Sequence, residues 1–163
     1  MYKRQGTSAV ELTNSMTEFS KLGYDINEAF ELAQSASKYA TTGWLELADA
    51  TDALTASYTV FGGQFDETIG KMIDSTTIID AYNSAGNNLA ITSDEVGQAL
   101  KQSANSLSEA GNEMSEAISL IATANKTVQS AEKVGRGLKT ISMRLRGEHY
   151  RPKRTVMCVV KHI

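Results

Sequence analysis

Apolar side chains in this sequence recur at intervals of three and four residues, and glycine repeatedly cuts the pattern. Such spacing returns to one face of an α-helix, whose period is about 3.6 residues, and not to one face of a strand. Val10, Leu12, Met16 and Phe19 mark a helix over 7–21, with Gly23 as its stop. Asp25 and Glu28 form an N-cap pair that opens a helix to about Tyr39, with Phe30, Ala33 and Ser37 on one face. Gly43 breaks it, and a further helix runs from about Trp44 to Val60, before Gly62 and Gly63. Phe65, Ile69, Met72, Ile73, Thr76 and Ile79 predict a fourth helix over about 65–84, ended by the loop chemistry of Ala85-Gly86-Asn87-Asn88. Thr92 and Glu95 are a second capping-box pair, with Val96, Ala99, Leu100 and Leu107 inward. After Gly111, Met114, Ala117, Ile118 and Ile121 mark the next helix. No segment alternates as a strand does. The predicted fold class is all-α.

An internal likeness sharpens this. Shifted by 68 positions, Leu32–Gly43 lies over Leu100–Gly111, with nine identities in the 29 positions from Leu32 to Val60. The spacing predicts one αα-hairpin used twice, with the 65–84 helix joining the copies. Gly43 and Gly111 close the turns, where a positive φ costs glycine nothing. Two such hairpins side by side give a helical bundle or a short solenoid.

Length permits one domain with a real core, and one proline in 163 residues with 41% hydrophobic composition opposes disorder. Cys158 stands alone, so no internal disulfide is expected. The start has basic residues without an apolar run, so no signal peptide is read, and no stretch is apolar enough to cross a membrane. Charge is divided unevenly. Residues 1–131 carry a net −10 and residues 132–163 a net +7. An acidic body with a basic end can associate head to tail, or bind an anion through that end.

Chemistry finds little support. His149, His162 and Cys158 lie beyond the helical pattern, and together they make a weak metal set. Pairs such as Asp49 and Asp52, or Asp66 and Glu67, fall on polar faces. Gly135-Arg136-Gly137 lacks the third glycine and the preceding strand of a dinucleotide fingerprint. No cofactor, metal or catalytic group is assigned, and the chain is not expected to be an enzyme.

The basic end begins as a helix. Val134, Leu138, Ile141 and Leu145 share one face, and Lys133, Arg136, Lys139, Arg144 and Arg146 spread over the remaining arc. The simplest reading packs the apolar face on the bundle and leaves the cations in water. Contact with nucleic acid is disfavoured because no aromatics interleave the cations. Contact with a membrane is disfavoured because the apolar face is narrow and lacks Trp and Phe.

Ile79-Asp80 with Asn83, Ala110-Gly111-Asn112, the run Ser119–Asn125, and Leu138–Gly147 stand out within a stretch spanning about Ser15 to Gly147. Together they resemble the core region of phage tail tape measure proteins. The matching positions within Leu138–Gly147 include Leu138, Lys139, Thr140, Arg144, Arg146 and Gly147. The resemblance implies a helical, non-catalytic structural part in tail assembly. In the full-length protein that part is tail length determination. It implies tail tube subunits, tail assembly chaperones and tail-tip proteins as partners. The implied location is the bacterial host cytoplasm during assembly, then the lumen of the virion tail. Without the resemblance, the alternative is a stand-alone helical adaptor whose basic end binds nucleic acid or a membrane surface.

The sequence departs from the family pattern in two places. Arg136-Gly137 stands where the family often has a Thr-Ala-like pair, and family members continue far beyond the segment ending at Gly147. Here Glu148–Ile163 follows, with Pro152 opposing a helix. The expected organisation is a lead-in over 1–14, a tape-measure-like core over 15–147, and a divergent tail over 148–163. The whole reads as a truncated phage or prophage fragment.

Overall fold

The computed structural model describes residues 8–146. Seven helices make up most of this span: α1 (Ala9–Lys21), α2 (Ile26–Gly43), α3 (Leu47–Phe61), α4 (Ser75–Asn88), α5 (Ser93–Glu109), α6 (Met114–Val128) and α7 (Ala131–Leu145). Two short strands, β1 (Phe65–Asp66) and β2 (Lys71–Met72), pair antiparallel between α3 and α4. Each helix packs on near neighbours in chain order. α1 lies on α2 and α3, α3 on α5, and α7 on α5 and α6. The result is a helical bundle laid down as a succession, with α1 early and α7 last.

Local chemistry sets the helix starts. Ser8 with Glu11, Asp25 with Glu28, and Thr92 with Glu95 each form the reciprocal capping box, satisfying amides that the helix cannot. Asp74 starts α4 by accepting from the Thr77 amide at 2.6 Å. Gly23, at φ +95°, follows α1.

The core is built largely from small residues. Ala29, Ala33 and Ala36 of α2 and Ala50 and Ala53 of α3 are buried, which lets the helix axes approach. Larger side chains fill what remains: Phe19, Leu54, Phe61, Ile78, Leu100 and Ile121 are all buried. Two tyrosines sit among them, with ring centroids 5.3 Å apart and nearly edge to face. Tyr39 donates its hydroxyl to the Ser93 carbonyl at 2.7 Å, and the Tyr82 hydroxyl meets the Ser57 hydroxyl. Burial raises both phenol pKa values well above the ordinary 10.0.

Several expectations need correction. Residues 65–74 form a β-ribbon and a loop, not the front of a helix, so the fold is mostly rather than wholly helical. The apolar spacing there fits a helix, but Phe65, Ile69 and Met72 are exposed and only Ile73 is buried. What wins is turn chemistry: the Asp66 carboxylate accepts from the amides of Thr68 and Ile69, and Gly70 takes φ +65°. At the other end, α4 continues through Ala85-Gly86-Asn87-Asn88, where a loop is expected. Asn88 turns its side chain back to the Ser84 carbonyl at 2.9 Å. On α2, Phe30 is 42% exposed, and the inward face is Ala29, Leu32, Ala33, Ala36 and Tyr39. A helix starting at Trp44 is also incorrect, because α3 begins at Leu47.

The two hairpin turns differ from the expected pattern as well. Gly43 ends α2 in helical conformation, and the residue at positive φ is Trp44, at φ +58°. Gly111 does take positive φ, +87°. Helix starts and left-handed turn residues therefore correspond at 67 positions, Asp25 with Thr92, Trp44 with Gly111, and Glu46 with Glu113, while α2 and α5 themselves end 66 apart.

Candidate functional site

α7 presents the basic face. Lys133, Arg136, Lys139 and Arg144 are exposed, and Arg146 is half-buried. Arg136 pairs with Glu132 on its own helix, and Arg146 reaches Glu109 of α5 at 2.8 Å. Lys133, Lys139 and Arg144 make no ion pair among the described residues. The solvated reading of these cations describes their placement in the single chain.

The apolar face of α7 is not the one the sequence predicts. Val134 is buried and Leu138 half-buried, but Ile141 is 54% and Leu145 82% exposed. Ala131, Gly135 and Ser142 take their place against the bundle. Gly135 explains the rotation, since a Cβ there would stand 2.5 Å from the Ala99 carbonyl oxygen of α5. The backbones meet so closely that small residues, not large apolar ones, define the contact.

A second polar centre ties the ribbon to α6. Asp66 is only 1% exposed, yet its carboxylate accepts from the Ser115 amide and hydroxyl, each at 3.1 Å. Ser115 lies in the first turn of α6, so Asp66 caps that helix from 49 residues upstream. Glu113, at the start of α6, returns the contact by accepting from the Glu67 and Thr68 amides at 2.9 and 3.1 Å. Burial acts to raise the Asp66 carboxyl pKa, but the hydrogen bonds from Ser115 and Ile69 outweigh it and hold the pKa below the ordinary range. The expectation that Asp66 and Glu67 fall on a polar helix face is corrected here, because Asp66 is buried against the start of α6. The turn residues Asp66, Thr68 and Gly70 were the junction's only local signal.

The positions carried over from the tape measure resemblance do not converge. Asp80 is exposed and Asn83 half-buried on α4. Gly111 and Asn112 form the α5–α6 turn, where the Asn112 side-chain amide donates to the Leu107 carbonyl at 3.0 Å. Asn125 is buried on α6. Leu138, Lys139, Thr140, Arg144 and Arg146 lie along α7 and its end, and Gly147 lies outside the described residues. So do His149, Pro152, Cys158 and His162. Among the described residues, no group of three His, Cys, Asp or Glu side chains is placed to hold a metal, and no helix is long and apolar enough to cross a membrane.

The described residues thus form a capped helical bundle with exposed cations on α7 and several large apolar side chains turned outward. Residues 2–155 match the family model described as phage-related minor tail protein. The match covers most of the chain, and the chain belongs to that family. Its role is structural, in the phage tail, among other tail proteins. No curated protein and no solved structure matches the chain.

Proposed function

We propose that the chain supplies a core segment of a tape measure protein, acting without catalysis through protein contacts inside the growing tail. In the full-length protein such a segment contributes to setting tail length. Its neighbours are tube subunits, tail assembly chaperones and tail-tip proteins, first in the host cytoplasm and then in the tail lumen. Residues 15–147 form the working segment in this reading, and α2–α3 and α5–α6 are two copies of one hairpin unit. The observation that carries it is the match of residues 2–155 to the phage-related minor tail protein family. Phe65, Met72, Ile141 and Leu145 are large, apolar and exposed, and give that role side chains for a partner to cover.

Co-expression with the cognate tube subunit tests this. The expected result is a complex that persists in high salt, because apolar contacts are not screened. The exposed cations Lys133, Lys139 and Arg144 favour a second reading, an adaptor for anions. Failure to form the tube complex, together with DNA or anionic-vesicle binding that collapses at moderate salt, would establish the adaptor instead.

A further inference from the structure

Two glycines on α7 sit in opposite surroundings. Gly135 is required by the close approach of α5, but a Cβ at Gly137 would meet nothing within 4 Å. Glycine is a poor helix former, and no contact among the described residues explains this one. On the wheel Gly137 falls in a stripe with Lys133, Ile141 and Arg144, at successive spacings of four, four and three. Leu145 extends the stripe, and its apolar members are exposed. A stripe with cations at both ends and a glycine between them is shaped for a partner that approaches the backbone closely.

On another part of the bundle, α1 and α3 enclose a groove of about 480 Å³. Glu11, Glu18, Glu46 and Asp52 stand around it, and Leu47 and Ala48 lie between them. Three of these carboxylates have local duties: Glu11 caps α1, Glu18 pairs with Lys21, and Asp52 pairs with Lys101. Among the described residues, no cation lines the groove itself. Asn14, Ser15 and Thr51 complete the lining, with the Ser15 and Thr51 hydroxyls hydrogen-bonded to each other at its base, so what matches the α7 stripe is the acidic rim, by charge.

We propose that the α7 stripe docks in the α1–α3 groove of a second copy of this chain. Its own groove is out of reach, because α7 is held on α5 and α6. The two surfaces differ, so the contact is heterologous and repeats from copy to copy, either as an open chain or as a ring. Each junction continues the helix succession, as the stacking of units does in a solenoid. Head-to-tail pairing needs no tail protein, so it stands apart from the role proposed above.

Sedimentation velocity of the full chain at low salt tests the pairing. The expected result is concentration-dependent growth past the dimer, reduced at high salt. Gly137→Trp blocks the stripe and Ala48→Trp fills the groove. Both positions are exposed, and circular dichroism checks that each variant is folded. Each variant alone is expected to lose association by at least about tenfold. Mixed, they retain one intact stripe and one intact groove, so they form a one-to-one dimer and stop. Arg144→Glu and Glu46→Lys, each alone, are charge variants expected to show the same loss. A chain that stays monomeric at about 100 μM, roughly the concentration at which a weak contact still shows, overturns the proposal. Growth that survives either tryptophan variant also overturns it, as does a tube subunit that binds the stripe while the chain alone remains monomeric.

Discussion

The hairpins α2–α3 and α5–α6 have corresponding caps but hold their turns differently. In the first, Trp44 adopts the left-handed conformation with its side chain 80% exposed. In the second, Gly111 adopts it without a Cβ to strain. The second hairpin also has an outside strap, Asp66 on the Ser115 amide and hydroxyl, answered by Glu113 on the ribbon. No hydrogen bond of that kind from outside the unit reaches the first turn of α3 among the described residues. One hairpin therefore bears strain locally, and the other is fixed from a distance.

The strap offers the strongest way to break this comparison. Asp66→Ala removes a buried carboxylate and leaves the Ser115 donors unanswered, an expected loss of about 2–4 kcal/mol in chemical denaturation. Hydrogen exchange is expected to rise first at the α6 start, with α3 little changed. Acid reproduces part of the effect. The Asp66 pKa is lowered in the fold, so its contribution is present above the ordinary value of 3.8 and is lost as pH falls below it. A denaturation series from neutral pH into that range checks the sign, and the variant is expected to show a flatter curve.

The corresponding caps sharpen the comparison. Asp25→Ala and Thr92→Ala are each expected to cost about 1 kcal/mol, and similar values would confirm that the two starts do equal work. Smallest are the turn exchanges, and they have opposite signs. Trp44→Gly is expected to relieve strain and raise stability by about 0.5–1 kcal/mol, because the indole packs on little. Gly111→Ala is expected to lose a similar amount, about 1 kcal/mol, by forcing a Cβ into positive φ. Thermal melts of the pair read both directions.

Much of the helical plan was legible because it is local. Asp25 with Glu28 and Thr92 with Glu95 announce helix starts, and Val96, Ala99, Leu100, Met114, Ala117 and Ile121 are inward as their spacing requires. The ribbon was illegible because Phe65, Ile69 and Met72 satisfy a helical period without being buried. The Asp66 turn that overrides that period is anchored at Ser115, far along the chain. On α7 the cations were legible as a charged arc, but the packing face was not. Periodicity counts large apolar residues, whereas Gly135 and Ser142 make this contact by being small. The left-handed residue at the first turn was misplaced by one because glycine is the usual occupant, and Trp44 stands there against that preference.

Tyr39 and Tyr82 give the protein an internal optical gauge. Their phenols are held neutral by burial, so their contribution to stability is intact below the ordinary pKa of 10.0 and is withdrawn as pH climbs beyond it. In alkali neither ring ionises readily until the helices around it separate. The ultraviolet band of tyrosinate from these two rings therefore tracks the opening of the bundle, with no label attached.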